Sequence, residues 1–146
     1  MKQCLCAPCV LVCVTDQFSC ERLIKQGKKI ADEYKLPLRV LNVSHTNNGY
    51  NVNSTAIEHL YNVSKQHNAS MSVIYNDETA LITAGFIRKN YVKAVVTGAP
   101  KIIGMGFIYE LHNYVPDVNI YMLSTSNNII HEISPSVIKL NDPTLA

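Results

Sequence analysis

Cys4-x-Cys6-x-x-Cys9 sets three thiols within six positions of the chain. Three thiolates suit zinc or an iron–sulfur cluster, and either needs a fourth ligand. Cys13 is a poor fourth, because it lies inside an apolar run and cannot readily turn outward. The plainer readings are a thiol-rich lead-in and small buried apolar cysteines, so no metal is expected. Cys20 falls where a helix begins, a place where the helix dipole can activate a thiol for redox sensing. His59 and His67 are eight apart, on one helix face but too distant for one metal ion. They are expected at the surface. His45, His112 and His131 have no recognisable acid or nucleophile beside them. No catalytic constellation is visible, and the chain is not expected to be an enzyme. What remains is a set of residues that follow apolar runs. Thr15 and Asp16 follow the first, and Val43 ends the second. Thr97, Gly98, Lys101, Gly104 and Gly106 follow a later one. An Asp can accept from a sugar hydroxyl and a Lys can meet a phosphate. Glycine lets a backbone approach an anion closely.

Such residues act only where secondary structure puts them. Cys9 to Thr15 is a continuous Val-rich apolar run, the pattern of a strand buried on both faces. Ser19 is expected to cap a helix that carries Glu21 in its first turn. Leu23, Ile24, Gly27, Ile30, Ala31 and Tyr34 then recur at helical spacing. Leu38 to Val43 is a second strand after Pro37, and Ser44 to Asn53 is a polar loop with Asn47-Asn48-Gly49. Asn53 or Ser54 starts a second helix, with Ile57, Leu60, Tyr61 and Ser64 on one face. Met71 to Tyr75 is a third strand, and Asp77 or Thr79 opens a third helix through Ile87. Lys93 to Thr97 is a fourth strand and Gly98 to Gly104 a loop. Met105 to Tyr114 is a fourth helix and Val118 to Leu123 a fifth strand. Residues 1–8 form a Cys-rich lead-in, 9–123 the folded domain, and 124–146 a tail or an extra edge segment.

Five strands alternating with four helices specify an α/β fold with a parallel sheet covered on both faces. At 146 residues the chain makes one domain. Apolar residues at 47% and charged residues at 16% give a globular chain. A net charge of +2 offers no case for nucleic acid or an anionic membrane as partner. No apolar run reaches the roughly 18–20 residues of a membrane span. Met1-Lys2 before Cys4 to Val14 imitates a signal peptide. Yet no small-x-small cleavage site follows, and Val12 is too large for a lipoprotein signal at Cys13. The run is therefore read as the first strand and the protein as cytoplasmic, with free thiols. The triplets beginning at Asn42, Asn53, Asn62 and Asn68 are then chance matches to a glycosylation signal.

Ligands of parallel α/β sheets bind beyond the carboxyl ends of the strands, where strand order reverses. The turn after the first strand, Val14-Thr15-Asp16-Gln17-Phe18-Ser19, has no glycine, which excludes a dinucleotide fingerprint. Gly104-Met105-Gly106 is a partial match in the wrong turn. Asp16, Asp77 and Thr97 follow strands as the acidic cluster and switch hydroxyl of a phosphorylation receiver do. The Lys that a receiver carries after strand five is replaced by Met122-Leu123-Ser124.

The run Val10 to Ile24, with Thr15-Asp16 and then Ser19-Cys20-Glu21-Arg22-Leu23-Ile24, resembles the universal stress protein family. It is most similar to the version of that domain in Kdp-type potassium-sensor histidine kinases. The resemblance continues through Leu38-Arg39-Val40-Leu41-Asn42-Val43, Val95-Val96-Thr97-Gly98 and Pro116-Asp117-Val118-Asn119-Ile120. It implies strand order 3-2-1-4-5, a Rossmann-like topology, a homodimer and, in many members, a bound adenine nucleotide such as ATP or AMP. Some kinase-linked members bind cyclic di-AMP through a serine-rich turn, which here holds only Ser19. By resemblance, the ribose lies near Thr15 and Asp16 and the base near Val43. ATP-binding members then carry Gly-x-x-Gly and, nine residues later, Gly-Ser or Gly-Thr. Gly98 matches the first glycine, Lys101 stands at the second, and no Gly-Ser follows before Pro116. Lys101 could supply a charge instead, and Gly104 and Gly106 a different anion turn. The plainer alternative is a turn glycine and a solvated lysine. The expected site is therefore Thr15, Asp16, Val43, Thr97, Gly98, Lys101, Gly104 and Gly106, with Gly98→Val expected to fill the crevice.

Two functions follow. One is a stress-response or signalling module that binds an adenine nucleotide and a signalling protein. The other is a dimeric interaction protein that has lost the nucleotide. The dimer is also expected from the fifth strand, Val118 to Leu123, as an uncovered sheet edge.

Overall fold

A computed structural model of the protein describes residues 7–46, 51–99 and 106–124, and the backbone of 129–133. Its central strand β1 (Cys9–Cys13) has no polar side chain able to face water, so both faces are covered. Strands β2 (Leu38–Ser44), β3 (Ser70–Tyr75), β4 (Val92–Gly98), β5 (Asn119–Leu123) and β6 (Ile129–Ile133) complete one sheet in the order β3-β2-β1-β4-β5-β6. The first five strands are parallel, in the expected order 3-2-1-4-5. Helices α1 (Glu21–Tyr34), α2 (Ser54–Gln66), α3 (Thr79–Lys89) and α4 (Phe107–Tyr114) are the crossovers.

The sixth strand changes one expectation. β6 pairs antiparallel with β5, with Ile120 opposite Ile133 and Met122 opposite His131. Part of the segment 124–146 is thus an extra edge strand, and β5 is an interior strand, not a sheet edge. The physical reason is the edge itself: backbone groups of β5 left open are satisfied by the next β-branched stretch of chain.

Alternate residues of β1 feed two cores. Val10 and Val12 face α1 and α2, packing with Leu23, Ile24 and Leu60. Cys9 and Leu11 face α3 and α4, packing with Ala84, Ile87, Ile108 and Leu111. α1 lies so close to β1 that a Cβ added at Gly27 would overlap Val12 Cγ2. Lys35, in the left-handed conformation, ends α1, and the Leu36 N–H returns to Ala31 O at 2.9 Å.

The caps differ in part from expectation. Ser19 does not cap α1: a 3-10 turn, Phe18–Cys20, runs straight into the helix. The turn already takes the Glu21 N–H for Phe18 O, an amide that a capping Ser19 hydroxyl would have accepted from. Asn53 caps α2 as expected, accepting from Ala56 N–H at 3.1 Å. α3 opens at Thr79, one of the two expected starts, and Glu78 flanks it without a side-chain bond. Asp77 is bonded to Thr46 instead.

On α4, Tyr109 Oη and His112 Nδ1 are buried with no hydrogen-bond partner among the described residues. Burial pushes the His112 pKa below its usual value, because the charged ring loses water and gains nothing. The unfolded chain therefore takes up this proton first as pH falls. The associated stability is full above about pH 6.5 and is lost as pH falls towards the folded-state value. Urea midpoints of the wild-type protein should drop between pH 7.5 and 5, and His112→Phe should flatten that slope. A parallel slope in the variant would show that His112 is not the group responsible.

Candidate functional site

Strand order reverses between β1 and β4, and a cavity of about 270 Å³ opens there beside α3 and α4. Its floor is the carboxyl ends of three neighbouring strands. β1 and its following turn supply Cys13, Val14, Thr15 and Asp16; β2 supplies Leu41, Asn42, Val43 and Ser44; β4 supplies Thr97. The register sets Cys13 beside Leu41, and Thr97 follows Val96, the partner of Val12. Helix α3 contributes Thr79 and Thr83 to the wall, and α4 contributes its first residue, Phe107. His45 stands at the β2 side.

Hydrogen bonds hold the rim. The buried Asn42 side chain donates to Val14 O at 3.0 Å and accepts from Ser44 Oγ at 2.6 Å. That ties the end of β2 to the end of β1. Asp16 accepts from Asn53 N–H at 2.7 Å, which fixes the β1 turn to the start of α2. Asp77 accepts from Thr46 N–H at 2.7 Å and Thr46 Oγ1 at 3.1 Å, with His45 Nδ1 3.7 Å away. These donors, led by the Thr46 amide, hold the Asp77 carboxyl below its usual range. Thr83 Oγ1 donates to Thr79 O at 2.7 Å, so it back-bonds along α3. The wall thus mixes threonine hydroxyls and the Asp16 carboxylate with apolar side chains, as small-molecule sites do.

No family model and no curated protein matches the sequence. Among solved structures, a universal stress protein from Archaeoglobus fulgidus superposes with a TM-score of 0.57. The match covers 77% of this chain and 90% of that one, at 13% identity. The fold is that of a universal stress protein. At that identity the likeness carries the architecture, including the expected strand order.

Within this universal-stress fold the expected residues divide into three groups. Thr15, Asp16, Val43 and Thr97 come together in the cavity wall. Gly98 does not: it ends β4 one residue beyond Thr97, and a Cβ there would lie 3.7 Å from Arg22 Nη2 and 3.9 Å from Leu23 Cδ1. Successive side chains of a strand point to opposite faces, so Gly98 faces α1 and not the cavity. The expectation that Gly98→Val fills the crevice is corrected accordingly. Gly106 flanks α4 at a φ of 97°, a conformation that suits glycine, without lining the cavity. Lys101 and Gly104 lie outside the described residues.

Sequence reasoning missed Cys13, Thr79, Thr83 and Phe107 as wall residues. The strand period carried a signal for Cys13, since it shares a face with Leu11. Nothing local marked the threonines of α3, whose role depends on how that helix lies over β2 and β1. Cys9 is buried at the start of β1, at the opposite end of the sheet, and donates to Asn90 O at 3.5 Å. Cys4 and Cys6 lie outside the described residues. Among the described residues no group of three or more His, Cys, Asp or Glu is placed to hold a metal ion. Cys20 is buried beside Thr15 Oγ1, at 3.4 Å. His59 is half-exposed, as expected at a surface, and its Nε2 sits 2.7 Å from Glu21 Oε1.

Burial pushes the Cys13 thiol up to about 12. A thiol so raised is protonated at neutral pH and a poor nucleophile. Iodoacetamide at pH 7.5 should therefore leave Cys13 unmodified in the folded protein and alkylate it in guanidinium, as read by peptide mass mapping. Rapid labelling of the folded protein at Cys13 would show that its thiol is not held protonated at that pH.

Proposed function

We propose that the chain is a cytoplasmic stress-response or signalling module that binds an adenine nucleotide in the cavity at the ends of β1, β2 and β4. The observation that carries the proposal is that Thr15, Asp16, Val43 and Thr97, expected at the ligand from the sequence, line one cavity at the reversal of strand order. Binding, not turnover, is the proposed activity. The ligand bridges loops that three separate elements contribute, so occupancy shifts their arrangement and with it the surface offered to a signalling protein. The resemblance of the first turn to Kdp-type sensor domains supports a partner of that kind.

A second reading has its own support. Gly98 turns away from the cavity, and Lys101 stands where the phosphate motif has its second glycine. These favour a dimeric interaction protein without a nucleotide. Isothermal titration calorimetry with ATP, AMP and cyclic di-AMP separates the two. Saturable one-site binding of any of them supports the module. The absence of heat at millimolar ligand leaves the interaction protein. A homodimer belongs to both readings through the resemblance. Since β5 is covered by β6, the described sheet ends at β3 and β6, and a pairing through β5 itself is not available. Light scattering that returns a monomer throughout the micromolar range removes the dimer.

A further inference from the structure

We infer that the cavity selects the uncharged nucleoside, adenosine, over its triphosphate. This rests on the adenine reading above and narrows the ligand class of the same site. Three observations carry it. The first is size: about 270 Å³ is just below the roughly 300–1,000 Å³ of small-molecule sites, room for a base and sugar more than for a phosphate chain. The second is charge. The wall bears the Asp16 carboxylate, and its one basic side chain among the described residues, His45, lies 3.7 Å from the Asp77 carboxylate. A carboxylate on the wall repels a phosphate and accepts from a sugar hydroxyl. The third is Phe107. It is the first residue of α4, where a phosphate-binding helix start offers backbone amides, and here an aromatic side chain stands in the cavity wall. An aromatic face gives a planar base a stacking surface and gives a phosphate nothing. The hydroxyls of Thr79, Thr83 and Thr97 offer hydrogen bonds to an uncharged polar ligand.

The test is calorimetry with adenosine, AMP and ATP, without added metal, on the whole chain. Adenosine should bind tightest and ATP about tenfold or more weakly, with AMP between them. Asp16→Asn keeps the acceptor for Asn53 N–H and removes the charge, and should raise ATP affinity about tenfold. Phe107→Leu keeps an apolar side chain and removes the ring, and should weaken adenosine about tenfold. ATP bound as tightly as adenosine overturns this selectivity and leaves the nucleotide reading standing. No binding by any of the three at millimolar concentration overturns both. An unchanged adenosine affinity in Phe107→Leu, or an unchanged adenosine-to-ATP ratio in Asp16→Asn, overturns the selectivity alone.

Discussion

Gly27→Ala is expected to lower the stability of the protein by about 1–2 kcal/mol, and Gly27→Val to prevent stable folding. Gly27 sits mid-way along α1, in the buried stripe with Leu23, Ile24, Ile30 and Ala31. In an open helix, alanine here would gain about 0.5–1 kcal/mol over glycine. The added Cβ instead overlaps Val12 Cγ2. Valine is stiff at χ1 and Val12 is fully buried, so neither side chain can swing aside. Either α1 lifts from the sheet or β1 shifts, and overpacking of that kind costs about 1–3 kcal/mol. The steric loss exceeds the helix-propensity gain, which fixes the sign. For a chain of this size the melting temperature should fall by roughly 2–8 °C. A melting temperature equal to or above that of the wild type would mean that helix and strand are not in close contact there.

Cys13→Leu is expected to abolish binding of an adenine ligand, by about a hundredfold or more in affinity, without unfolding the protein. Cys13 is in the floor of the cavity, between Leu41 of β2 and the end of β4. Its thiol is held protonated by burial, so the change removes no charge. Cys13 is half-buried at the edge of the second core with the cavity beside it, whereas Gly27→Val overlaps a neighbour already at its Cβ. Burial of the extra apolar surface, at about 25 cal/mol per Å², offsets any small strain. Calorimetry reads the affinity and thermal melting reads the fold. If the variant binds adenine ligands like the wild type, the ligand is elsewhere and the cavity is not the site. If the interaction-protein reading holds, partner capture should be indifferent to this substitution.

The architecture was legible because it depends on local patterns. The Val-rich run at Cys9 to Thr15 and the helical stripe from Leu23 to Tyr34 each mark an element by period alone. Their alternation leaves a covered parallel sheet as the outcome, and the motif around Ser19-Cys20-Glu21-Arg22 pointed to the fold now observed. The cap of α2 was legible for the same reason, since Asn53 bonds to an amide three residues away. The cap of α1 was not. A 3-10 turn and a side-chain cap compete for the same amide, and the local sequence permits both.

The site was legible by half. Residue type and position after a strand identified Thr15, Asp16, Val43 and Thr97, because parallel sheets open ligand crevices at those ends. Gly98 is one residue beyond Thr97, and the alternation of strand side chains turns it to the other face. Sequence by itself determined the order of elements, the two cores fed by β1 and the end of the sheet at which to look. Tertiary structure alone decided which side chains face one another there: Phe107 and the threonines of α3 against Cys13, and Asp16 against the start of α2. It also decided that β6 covers β5. The reason is distance along the chain. Periodicity is set by neighbours within a turn or two, whereas the cavity wall joins residues from Cys13 to Phe107, whose meeting depends on how helices settle on a sheet.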